Sequence, residues 1–154
     1  MKKKVMYQGR QYVQFESGAL VPLSVLEKKP LVKTAEDVLP ILEDIRFQEQ
    51  EHFKVIHLDS AGQVVFSSIV SKGLVNQAPV HPREVFKEAI RRNASSIILA
   101  HNHPSGSLTP SEADLTITEK LVEAGKLLNI PVLDHVIVSS QGFVSLLESQ
   151  RRLF

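Results

Sequence analysis

The stretch from Leu99 to Asp114 constrains this chain more than any other. It begins as the end of an apolar strand, Ser96-Ile-Ile-Leu-Ala100, crosses a Pro/Gly/Ser loop and enters a helix. His101 and His103 are two apart, so on continuing strand geometry both imidazoles project to one side, with Cα atoms about 6.5 Å apart. Two neutral imidazoles so placed can converge on one metal through Zn–N bonds of ~2.0–2.1 Å. Asp114 then follows on the helix.

The helix start can be read without Asp114. Thr109 suits the N-cap, Pro110 the first helical position, and Glu112 stands three after Thr109 as in a capping box. In that register Asp114 lies in the second turn, on the apolar stripe of Ile117, Leu121, Ala124 and Leu128. A carboxylate on a core-facing stripe is costly unless paired or metal-bound. Ser111, three residues earlier, lies on nearly the same face. His101, His103, Ser111 and Asp114 can therefore all point into one pocket below the strand end. The alternative is a second capping box from Ser111 to Asp114, with the histidines as loop donors. The sequence of strand, sharp loop and helical aspartate favours the metal.

His101-x-His103-Pro104, followed at fixed spacing by Ser111 and Asp114, resembles the metal-binding signature of the JAB1/MPN (JAMM) metalloprotease superfamily. The form His-Asn-His-Pro-Ser-Gly, with the later Leu-Asp-His-Val-Ile-Val, is similar to the RadC branch of that superfamily, over about Thr34 to Phe154. The resemblance implies a mixed sheet flanked by helices, in a layout related to the cytidine deaminases. It also implies a Zn2+ held by His101, His103 and Asp114 with water in the fourth place, the arrangement of catalytic zinc sites. A glutamate at the head of a strand handles the proton of that water in the superfamily, and Glu51, before His-Phe-Lys-Val-Ile-His-Leu, is similar to it. Glu49 is its rival, two residues earlier; both could also be exposed acids at a strand entrance. Ser111 would donate to the oxyanion of a tetrahedral intermediate. The activity so implied is zinc-dependent hydrolysis of a peptide or isopeptide bond in a protein or peptide substrate.

Composition narrows the rivals. The chain has 154 residues and no cysteine, so disulfides and thiolate zinc sites are excluded, and any zinc site must use His and carboxylate. That also removes the thiolate-zinc form of a nucleobase deaminase. A non-catalytic role remains open: an accessory RadC-like protein in DNA repair, recombination or mobile-element biology. Lys and Arg number 18 against 17 Asp and Glu, which gives no electrostatic footprint for nucleic acid, so direct DNA binding by the isolated chain is not expected. Its clusters are Lys2–Lys4, Arg91–Arg92 and Arg151–Arg152. The basic N-terminus has no apolar run behind it and does not read as a signal peptide. No stretch approaches the ~20 apolar residues of a membrane span; a cytoplasmic location is expected.

Residues 1–33 read as a short β-rich N-terminal extension, with strands at Val5–Tyr7 and Gln11–Phe15 around Gly9. They differ from the longer helical region common in RadC-like proteins. From 34 to 154 the pattern reads as the RadC-like JAB1/MPN domain. Thr34 opens a helix with Glu36 and Asp37 in its first turn, which Pro40 kinks or delays. Strands follow at Glu51–Leu58 and Gln63–Val70. A helix from Pro82 has Val85, Phe86, Ala89 and Ile90 as its inner face. The core strand, the motif helix to Leu128, and strands at Val132–Val138 and Gly142–Leu147 complete an α/β sandwich. Asp134 and His135 face opposite sides of the penultimate strand, one of them as a sheet anchor or a hydrogen-bonding support to the ligands. Asn102 projects away from the two histidines and pins the loop. His52, His57 and His81 read as surface or cap residues.

Overall fold

The computed structural model describes residues 3–14, 17–23, 29–73 and 80–154. Two compact units divide the chain, Met1–Pro30 and Leu31–Phe154. The first holds an antiparallel sheet of β1 (Lys3–Tyr7), β2 (Arg10–Gln14) and β3 (Leu20–Pro22), in that order. Its first turn passes through Gln8 and Gly9, both at positive φ. The third strand was not apparent in the sequence. Phe15, expected to end the second strand, and Lys2 lie outside the described residues.

The second unit is built on a five-stranded sheet in the order β5-β4-β6-β7-β8. Its strands are β4 (His52–Leu58), β5 (Val64–Lys72), β6 (Ser96–Asn102), β7 (Val132–Ser139) and β8 (Gly142–Ser145). β4 runs antiparallel to β5 and β6, β6 and β7 are parallel, and β8 returns antiparallel. This is the mixed sheet flanked by helices that the sequence led us to expect. The β6–β7 pair needs a crossover, and the motif helix supplies it.

Side-chain alternation divides the core in two. Phe53, Val55, Ile97 and Leu99 face α2 (Pro82–Arg91) and α3 (Glu112–Leu128), packing on Val85, Phe86, Ala89, Leu121 and Val122. Ile56, Leu58, Ile98, Ala100, Val136 and Val138 face α1 (Leu39–Arg46), packing on Leu42 and Ile45. A 3-10 turn at Ala35–Val38 precedes α1. Thr34 and Asp37 form its capping box, and Pro40 sits at the start of α1 rather than inside it, so the proline delays the helix.

Several expectations change register. Ile90, placed on the inner face of α2, is 56% exposed, and Leu128 is 43% exposed. The buried face of α3 is instead Asp114, Thr118, Leu121, Val122 and Gly125. A Cβ at Gly125 would stand 2.6 Å from the Ile130 carbonyl oxygen, so glycine permits the close return of the chain. Asn129 in the left-handed conformation ends the helix before Pro131. His52 and His57 are buried rather than superficial, because β4 is an interior strand covered on both faces. A short helix, α4 (Leu146–Ser149), starts where the last strand was expected to continue.

Candidate metal centre

Strand β6 delivers both histidines, in a slightly different way from simple alternation. His101 lies within β6, on the α3 side, and pairs in register with Phe53 and Ile137. His103 follows the strand, and its backbone N–H donates to the Val138 carbonyl at 2.9 Å, extending the alignment with β7. Its Nδ1–H donates to the Ser107 carbonyl at 2.9 Å, which turns Nε2 inward. Pro104 to Pro110 then return the chain to α3.

The helix begins two residues later than Thr109 and Pro110 suggested. Ser111 is its N-cap: the Ser111 hydroxyl accepts the Asp114 N–H at 3.1 Å, and Asp114 Oδ2 accepts the Ser111 N–H at 2.8 Å. Helix capping and contact with the imidazoles are thus compatible in one carboxylate. Asp114 closes the capping box and also meets the imidazoles, with Oδ1 at 3.1 Å from His101 Nε2 and Oδ2 at 3.2 Å from His103 Nε2. The two Nε2 atoms lie 2.9 Å apart. All three residues are buried.

Three lone-pair donors so close need a cation or protons among them. Their separations are near the edge of a tetrahedron with ~2.0–2.1 Å bonds, about 3.3–3.4 Å. One carboxylate and two imidazoles suit zinc, so these residues fit the ion that the motif implies. Without a metal, protons take its place: burial opposes ionisation of Asp114, yet the hydrogen bonds that His101 and His103 donate when Nε2 carries a proton outweigh it and hold the carboxyl well below the usual range. The Asp114 bond raises the pKa of His103 above the ordinary imidazole value against burial, with help from the Ser107 carbonyl and the charge of Glu51.

Glu51 stands immediately before β4, half-buried, and its carbonyl accepts the Gly73 N–H at 2.9 Å. Its charge reaches His103. Glu49 is exposed, on the same incoming segment. That segment is fastened by Asn102. Its Oδ1 accepts the His52 N–H at 2.6 Å, and its Nδ2 donates to the carbonyls of Gln48 and Gln50 at 3.2 and 3.0 Å. Asn102 does project away from the histidines, but it pins the approach to Glu51 rather than the motif loop.

Behind the cluster lies His135, fully buried, with Nε2 at 2.7 Å from His101 Nδ1 and Nδ1 at 2.6 Å from the Thr118 hydroxyl. Burial depresses its pKa well below the ordinary value. Phe53 packs against both rings, its centroid 6.1 Å from that of His101 and 5.4 Å from that of His135. Asp134, on the other face, accepts from the Ser145 hydroxyl and from the His135 and Leu147 N–H groups, anchoring the start of α4. Sequence reasoning missed Thr118; the available signal was a hydroxyl one turn after Asp114.

The family model of the RadC-like JAB domain matches residues 32–152. A UPF0758 protein of Geobacillus kaustophilus is 50% identical over 134 residues, covering 86% of this chain and 59% of the relative. UPF0758 proteins of Caldanaerobacter subterraneus and Bacillus cereus are 48% and 44% identical, covering 58% and 60% of their own lengths. The chain therefore spans less than two thirds of these curated relatives.

Proposed function

Because the chain belongs to the RadC-like JAB domain family, we propose that it is a zinc-dependent hydrolase of peptide or isopeptide bonds. The observation that carries this reading is the convergence of His101 Nε2, His103 Nε2 and the Asp114 carboxylate within 3.2 Å of one another. A zinc ion on these three residues would supply Lewis acidity and a water acidic near neutral pH.

The remaining work falls to the protein. The Glu51 carboxylate accepts a proton from the attacking water and passes it to the leaving nitrogen. Its charge already acts on this centre through His103. The Ser111 oxygen is occupied as acceptor of the Asp114 N–H, but its own O–H remains to donate to the scissile carbonyl oxygen as charge develops there. Asn102 holds the segment that delivers Glu51, and Phe53 packs behind the ligand imidazole.

Metal analysis run beside cleavage of a peptide library tests the proposal. Zinc-loaded protein is expected to cleave, chelated protein and Asp114→Ala to fail. Stoichiometric zinc with no cleavage of any amide would favour a non-catalytic role in the biology of the longer relatives.

A further inference from the structure

We infer that His135 and Thr118 are positioning residues that set the tautomer of His101 and aim its Nε2 lone pair at the metal. This inference rests on the metal-site reading above and extends it to two residues outside the ligand set.

The argument follows the protons. The Thr118 hydroxyl is 2.6 Å from the Asp114 carbonyl oxygen. A carbonyl oxygen has only lone pairs, so the single hydroxyl proton lies on that bond. The Thr118 oxygen is also 2.6 Å from His135 Nδ1, and with its proton committed it accepts there. His135 Nδ1 therefore carries hydrogen.

His135 has no exposure at all, and a second proton would place an unpaired charge in the core. Its Nε2 is thus a bare acceptor. The 2.7 Å contact with His101 Nδ1 then requires His101 to be the donor. With Nδ1–H used in this way, the neutral His101 ring presents a lone pair at Nε2, toward Asp114 and His103.

The start of the relay is tied to the ligand set. Thr118 binds the carbonyl of Asp114, one turn earlier on α3, so the helix that supplies the carboxylate also fixes the imidazole. His103 reaches the same tautomer separately, through Ser107. Groups that orient a metal-bound histidine through its other ring nitrogen typically change metal affinity 10–100-fold when removed.

The experiment uses the full chain and zinc alone, with a competing chelator to measure affinity and long-range 1H–15N spectra to read imidazole tautomers. Thr118→Val keeps shape but removes the hydroxyl; it is expected to weaken zinc binding about tenfold or more. Thr118→Ser is expected to restore affinity to near wild type, which mere loss of packing would not. His135 and His101 of the wild type are both expected as Nδ1–H tautomers. An Nε2–H tautomer at His135, or Thr118→Val within twofold of wild-type affinity, overturns the inference. Failure of the wild type to bind zinc overturns the metal-site reading instead, and the tautomer spectra still decide the relay.

Discussion

The side-chain oxygen of Asn102 accepts the backbone N–H of His52 at 2.6 Å, so the residue between the two histidines holds the strand entrance that bears Glu51. Asn102→Ala strands this N–H and takes the donor from the Gln48 and Gln50 carbonyls. Loss of about 1–3 kcal/mol is expected in denaturant unfolding. Amide exchange should quicken across Gln48–His52 while bound zinc per chain is unchanged. Undiminished protection of the His52 amide would contradict this account.

Asp114 has two roles that one substitution separates. Asp114→Asn retains an oxygen for the Ser111 N–H but removes the charge between the imidazoles. Losing the charge that His101 and His103 contact should cost the metal-free protein about 1.5–3 kcal/mol, the scale of a hydrogen bond to a charged group, while the capping bond is kept. Stoichiometric zinc should be lost on elemental analysis after gel filtration. Full zinc retention would remove the carboxylate from the ligand set.

His57 contributes one part of the pH dependence of stability. Burial lowers its pKa below the ordinary 6.5, the first of several effects acting on it. Its Nδ1–H donates to the Phe66 carbonyl at 3.3 Å, while Nε2 has no hydrogen-bond partner among the described residues. Below 6.5 the unfolded chain takes up a proton that the folded protein refuses, so stability falls with pH, by up to ~1.4 kcal/mol per pH unit for one proton. Above that pH the contribution is complete. In chelator-treated protein, His57→Leu should flatten the stability profile just below pH 6.5 relative to wild type. Parallel profiles would show that His57 titrates normally in the folded state.

Much of this was legible beforehand because local chemistry determined it. The strand–loop–helix motif, the delayed helix at Pro40 and the stop at Asn129 each rest on a few adjacent residues. The start of α3 is ambiguous in the sequence because Thr109–Glu112 and Ser111–Asp114 both satisfy the capping pattern, and only Asp114's further contacts with His101 and His103 favour the second. The environment of His135 was illegible for another reason. Its proximity to His101 depends on the parallel register that sets Leu99 beside His135, which no local pattern encodes. The burial of His57 is hidden from the sequence in the same way, since the covering of β4 on both faces is a property of the assembled sheet.

Duplex DNA should bind weakly or not at all to the isolated chain at physiological salt. Strong non-specific binding requires many neutralised phosphates, and the basic groups here are partly engaged: Arg91 and Arg92 both bond Glu88, at 3.0 and 3.2 Å. Fluorescence anisotropy at that salt is the check; submicromolar affinity with a steep salt slope would advance the DNA-repair role over the hydrolase.

The most direct test of the central claim compares cleavage of a peptide library by zinc-loaded wild type and zinc-loaded Glu51→Gln. The account predicts equal zinc in both proteins, amide cleavage by wild type, and a rate at least about 100-fold lower in the variant, the scale of a lost general base. Equal cleavage by the two proteins, or none by wild type at full zinc occupancy, would contradict it.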